Sequence, residues 1–116
     1  MLSVKIIMNS CMEEVLSFKC SNLHDQNLEM HVLNRGDRPV AVHGHIVLEN
    51  EEDILECNHL FPPWEQIVRP GQGAAFYCSM DPLVWEQYET LTIVDKEGNP
   101  YRFSIKEITE YPSYRG

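Results

Sequence analysis

Cations are scarce in this 116-residue chain: lysine and arginine number 9 against 18 aspartates and glutamates, a formal net charge of -9. Neutralising phosphates takes surplus positive charge, so this balance argues against a nucleic-acid binder or a ligand of anionic membranes. No apolar run approaches the roughly 20 residues of a membrane-crossing helix. The start, Met1-Leu2-Ser3-Val4-Lys5, lacks the hydrophobic stretch and cleavage site of a signal peptide. The four cysteines, Cys11, Cys20, Cys57 and Cys78, contain no C-x-x-C spacing, and the chain is too large for a disulfide-scaffold miniprotein. They are expected as buried thiols in a reducing compartment, and the protein as cytoplasmic. With no repeat, low-complexity segment or linker, one domain over 1–116 is expected, with a loose tail from about 109.

What the chain does have is 43% hydrophobic and 23% charged residues, ordinary for a globule. A domain of this size buries enough surface to fold without a metal or a disulfide. The hydrophobic residues follow a period of two. Leu28, Met30 and Val32 alternate with Glu29, His31 and Leu33; Val42, Gly44, Ile46 and Leu48 alternate with His43, His45, Val47 and Glu49. The same pattern runs through Ala74–Met80, Thr90–Val94 and Tyr101–Ile105, as in sheets with one face on a core and one in water.

The punctuation agrees. Asn34-Arg35-Gly36-Asp37-Arg38-Pro39 separates two strands with turn formers. Arg69-Pro70-Gly71-Gln72 fits a turn with proline at its first central position and glycine where φ is positive. Asp95-Lys96-Glu97-Gly98-Asn99 reads as a three-residue hairpin loop closed by a left-handed Gly98. That loop sets Ile93 opposite Tyr101 and Leu91 opposite Phe103. All four are apolar and inward, so turn and burial choose one register. Asp81-Pro82 predicts a short helical turn near Asp81–Gln87, carrying Leu83, Val84 and Trp85 over the end of the core. Ser10-Cys11-Met12-Glu13 matches a capping box for a short helix, while Leu16, Phe18 and Cys20 alternate as a strand would.

The order of elements is a leading strand through Phe18, then Leu28–Asn34, Val40–Glu49, Ala74–Met80, Tyr88–Val94 and Tyr101–Ile105. With the Asn34–Pro39 step, Pro70-Gly71-Gln72 and the Gly98 hairpin, it resembles an immunoglobulin-like β-sandwich domain of bacterial type. The resemblance implies an all-β antiparallel sandwich of about seven strands. No cysteine lies near Val32 or Ile93 and no tryptophan near Val42, so antibody-type function is not implied. A shared fold transfers no activity.

Five further features could carry chemistry. His43 and His45, two apart on a strand, point to one side; a simple hairpin around Gly36 would add His31 opposite His43 and complete a zinc or copper site. An immunoglobulin-like topology instead puts the two strands in different sheets and removes His31. Cys57 and His59 could supply a thiolate and an imidazole, but with Leu55 and Phe61 they form the apolar set, which should face inward. Arg35-Gly36-Asp37 is turn chemistry. Glu49-Asn50-Glu51-Glu52-Asp53, with Glu56, is a solvated acidic loop that can steer a basic partner. In Phe61-Pro62-Pro63-Trp64 two prolines stiffen the backbone between aromatics, which either cap the open end of the sandwich or present a rigid apolar surface.

The sequence therefore predicts a non-catalytic protein-binding or assembly module, without a cofactor, using Phe61 and Trp64. A homodimer through a strand edge is a variant of that reading. The alternative is a metal-binding domain built on His31, His43 and His45.

Overall fold

Leu2, Val4, Ile6 and Met8 alternate with Ser3, Lys5 and Ile7 at the head of the chain. In the computed structural model, which describes residues 1–9, 27–58 and 60–111, that alternation forms strand β1 (Leu2–Met8). The strand expected through Phe18 and the capping-box helix lie outside the described residues. β1 was readable by the same period-two rule, because its even residues are buried and its odd ones are not.

β1 lies inside the first sheet. It pairs antiparallel with β2 (Leu28–Asn34), which pairs antiparallel with β6 (Gly73–Cys78). On its other side β1 takes a short parallel partner, β9 (Thr109–Glu110). In the second sheet β3 (Val40–Glu49) is flanked by β4 (Ile54–Cys57) and β5 (Gln66–Val68) on one side and β7 (Thr90–Asp95) on the other. β8 (Pro100–Ser104) extends this sheet beyond β7. The molecule is thus an all-β two-sheet sandwich with two short helices among the described residues, α1 (Pro82–Trp85) and α2 (Ile105–Ile108).

Two expectations need correction. The sandwich is not wholly antiparallel, since β1 and β9 run parallel, and nine strands are described rather than about seven. Thr109 and Glu110, where a loose tail was expected to begin, pair with Ile6 and Ile7 instead. Residues 112–116 lie outside the described residues.

The core is the set of inward residues from both sheets. Ile6, Met30 and Phe76 of the first face Ile46, Leu91 and Ile93 of the second, all fully buried. Each such side chain contributes about 1.5–3 kcal/mol relative to exposure. α1 covers one end. The Asp81 carboxylate accepts a hydrogen bond from the Leu83 amide at 2.9 Å, and Pro82 occupies the first turn, where no amide donor is missed. Trp85 is fully buried, and its indole N–H donates to Thr109 Oγ1 at 3.1 Å. Leu83 was expected beside it over the core but points to solvent, 70% exposed: a single helical turn presents one side inward, and Trp85 takes it.

The β7–β8 hairpin has the register its turn predicts. Ile93 pairs with Tyr101 and Leu91 with Phe103, and Gly98 has φ 91°. Asp95 organises the turn: its carboxylate accepts from the Glu97 amide, the Asn99 amide and side chain, and the Tyr101 hydroxyl, all at 2.8–3.1 Å. Burial alone would raise the Asp95 pKa, but the hydrogen bonds from Asn99, Tyr101 and Glu97 outweigh it and hold the pKa below the ordinary value. A carboxylate stabilised in the folded state contributes stability above its unfolded pKa of about 3.9, and that contribution is lost as pH falls through the lower folded value. Asp95→Asn should therefore cost about 1–2 kcal/mol at neutral pH. In acid its unfolding midpoint should approach that of the wild type. Parallel melting curves at pH 7 and pH 3 check this, and a constant gap between the two proteins would refute it.

β2 and β3 are joined across the sandwich, not within a sheet. Asn34 sits at that crossing, fully buried, and its side chain is saturated. Its Nδ2 donates to the carbonyls of Arg38 (2.7 Å) and Val68 (2.8 Å), and its Oδ1 accepts from the Gly36 amide (2.8 Å). Its backbone completes the tie to the neighbouring Arg69–Gln72 turn, donating to Gln72 O and accepting from the Gly71 amide. Gly71 has φ 80°, the left-handed conformation this turn requires.

Candidate functional site

β3 changes partners along its length. Val40–Val42 pair with β5 and Ile46–Glu49 with β4, leaving His43-Gly44-His45 between them. The pairing with β7 is also interrupted there: Val42 lies opposite Asp95 and Ile46 opposite Ile93, so β3 advances four residues while β7 advances two. An even insertion keeps the parity of the strand, so Val42, Gly44, Ile46 and Leu48 all remain on the core side.

The connection between β4 and β5 passes over this bulge. A Cβ on Gly44 would lie 3.0 Å from the Leu60 carbonyl oxygen, 3.1 Å from that of Pro62 and 3.3 Å from the Leu60 Cβ. Glycine is needed because another backbone lies against it. Leu60 is buried beside the bulge. Phe61 then bridges to the opposite sheet: its amide donates to the Tyr77 carbonyl and its carbonyl accepts from the Tyr77 amide, each at 2.7 Å. The Phe61–Pro62 peptide bond is cis. Residues 60–62 thus connect the two sheets along one flank.

Phe61 and Trp64 emerge from this anchored segment into solvent. Phe61 is 52% exposed and Trp64 61%, with ring centroids 5.8 Å apart in an edge-to-face arrangement at 69°. Ile67, on the strand into which the loop runs, is 62% exposed. Two expectations are corrected here. Phe61 does not continue the inward set of Leu55 and Cys57, because β4 ends at Cys57 and Leu60 fills the core place. Nor do Phe61 and Trp64 cap the open end of the sandwich, a task done by Trp85. His59 lies outside the described residues.

The histidines are divided between the sheets. His31 pairs with Lys5 and Ala75 on the first sheet; His43 and His45 lie on the outer side of the second. His31 Nε2 is 3.1 Å from Glu29 Oε1 and lines a shallow groove with Ser3, Lys5, Leu33, Arg35 and Ala75. His45 Nε2 lies 3.9 Å from Glu56 Oε1, beyond hydrogen-bond reach. The hairpin that would bring His31 opposite His43 is not formed. Among the described residues no group of three or more histidine, cysteine, aspartate or glutamate side chains is placed to hold a metal ion.

The acidic loop is a turn built by Asn50, whose Oδ1 accepts from the Glu52 and Asp53 amides. Glu51, Glu52 and Asp53 are exposed. Tyr88 ties the loop to the start of β7 by donating to Asp53 Oδ2 at 2.9 Å; that hydrogen bond, with burial second, raises the Tyr88 pKa. Tyr111 is exposed at the end of the described chain.

Sequence reasoning did not single out Gly44 as a packing residue or Ile67 as an exposed one. Gly44 carried a signal, being a glycine inside a strand pattern, which marks a bulge or a close backbone approach. Ile67 carried none. No family model matches the chain, and comparisons with curated proteins and with solved structures give no match either.

Proposed function

We propose that this chain is a non-catalytic protein-binding module anchored by Phe61 and Trp64. The observation that carries the reading is two large aromatic side chains, each more than half exposed, on a backbone pinned to both sheets. Rigid exposed aromatics offer much apolar area at small ordering cost, the property of residues that dominate binding energy. The surroundings indicate the partner's chemistry. Glu56 and Glu65 lie in the flanking sequence, Glu65 with Lys96 Nζ 3.8 Å away, and the net charge of the chain is -9. These favour an apolar pocket rimmed by lysine and arginine over a second copy of the same acidic chain.

The same reading places the sandwich among immunoglobulin-like domains. Supporting it are the sheet orders β6-β2-β1-β9 and β4-β3-β7-β8, with the crossing at Asn34.

Trp64 offers a direct readout, since the second tryptophan, Trp85, is fully buried. Binding of immobilised amphipathic peptides with lysine and arginine flanks should shift Trp64 emission to shorter wavelength. Trp64→Ala should weaken capture of the same peptides about tenfold or more at unchanged melting temperature. Equal capture by both proteins would remove the surface from consideration. Concentration-dependent sedimentation abolished by Trp64→Ala would replace the basic partner with a second copy.

A further inference from the structure

The flank that carries the aromatic segment also holds two cysteines, one from each sheet. Cys57 is the last residue of β4 and Cys78 the last of β6; they are 2% and 3% exposed and carry thiols. Facing sheets ordinarily pack about 10 Å apart, too far for a disulfide, which needs Cα atoms within about 7 Å. At this flank the β4–β5 connection reaches across to the other sheet. The Phe61–Tyr77 bridge joins backbone to backbone, four residues after Cys57 and one before Cys78. Ile46, the register partner of Cys57, and Leu28, that of Cys78, are both fully buried in the shared core, so the thiols enter the same space.

We propose that Cys57 and Cys78 are a cross-sheet dithiol that oxidises to a disulfide, a covalent clasp between β4 and β6. The Cys57 side chain, with burial second, pushes the Cys78 pKa up, as befits two thiols entering one buried space. A protonated, buried thiol exchanges slowly, so the pair persists as thiols through brief oxidation and closes when the edge strands open. The oxidant is a small-molecule disulfide such as oxidised glutathione. One cysteine thiolate attacks it and releases one glutathione thiol, leaving a mixed disulfide. The second thiolate attacks the protein sulfur of that mixed disulfide and releases the other glutathione. Two protein thiols lose two protons and two electrons, and one glutathione disulfide becomes two glutathione thiols. The inference stands apart from the partner reading, because it concerns the core side of the flank.

The test uses the whole chain, equilibrated with a glutathione redox buffer at mildly alkaline pH, beside a Cys11→Ser, Cys20→Ser variant that retains only this pair. Both proteins should lose two titratable thiols, with peptide mapping linking Cys57 to Cys78. Closing the loop between them should raise the melting temperature by roughly 5–10 °C, reversibly with dithiothreitol. Cys78→Ala should abolish the gain. Retention of both thiols in the two-cysteine variant, or mapped bridges that bypass Cys57 and Cys78 in the whole chain, would overturn the proposal. So would a Cys57–Cys78 bridge that lowers the melting temperature.

Discussion

Asn34→Leu should bring the protein close to unfolding. Leucine keeps the branched heavy-atom shape but strands the carbonyls of Arg38 and Val68 and the amide of Gly36, all of which Asn34 satisfies from a fully buried position. Each stranded group costs about 1–3 kcal/mol, toward the lower end for the partly buried Arg38 carbonyl and Gly36 amide, so the sum is about 3–6 kcal/mol. That is a large part of the 5–15 kcal/mol typical of a folded domain. Urea unfolding measures it directly. Asn34→Asp separates lost hydrogen bonding from lost packing. Its carboxylate retains an acceptor for the Gly36 amide but turns an oxygen, not a donor, toward the two carbonyls. Asn34→Asp should be about as unstable as Asn34→Leu at pH 7 and recover part of the loss in acid, where a protonated carboxyl supplies one donor. A cost below about 1 kcal/mol for Asn34→Leu would show that the crossing is not held by this side chain.

Gly44→Val should damage the fold and the aromatic surface together. The new Cβ would meet the Leu60 and Pro62 carbonyl oxygens at 3.0 and 3.1 Å, with two γ-carbons still to place. Those carbonyls flank Phe61, whose backbone is held on both sides by Tyr77, so the segment cannot retreat without breaking the link between the sheets. Valine's preference for strands is worth at most about 1 kcal/mol here. Overpacking costs about 1–3 kcal/mol and should exceed it, leaving a net loss of about 1–2 kcal/mol. Gly44→Ala should show a smaller loss of the same sign. Trp64 emission should change in Gly44→Val under fully folded conditions, while Trp85 remains shielded. A variant as stable as the wild type, with unaltered Trp64 emission, would show that residues 60–62 slide freely over β3.

The pattern of faces was legible wherever a strand was long enough to repeat its period. Leu28–Val32 and Ile46–Leu48 were read correctly because alternation over many residues leaves one choice of face, and the Asp95–Asn99 loop fixed the pairing of Ile93 with Tyr101. β5 and β9 were not read, since three and two residues are too few to show a period. Their pairing is decided by what lies beside them. The aromatic segment was named from its residues, but its exposure was not legible. Extrapolating the alternation from Leu55 to Phe61 assumed an unbroken strand, whereas β4 ends at Cys57 and the chain turns to lay Leu60 on Gly44. Likewise, the partition of the histidines rested on which sheet β3 joins. Asn34–Pro39 would serve equally as a hairpin turn or a crossing, and the deciding groups, Val68 and Gln72, are more than thirty residues away.

The parallel pair between β1 and β9 gives the sandwich a mechanical direction. Ile6 faces Thr109 and Ile7 faces Glu110, with Lys5 Nζ 3.5 Å from the Glu110 carboxylate. Tension drawn from Leu2 on one side and from Glu110 on the other runs along these two strands rather than across them. The rungs between them are then loaded in shear, sharing the force, where a hairpin pulled from its open end would unzip rung by rung.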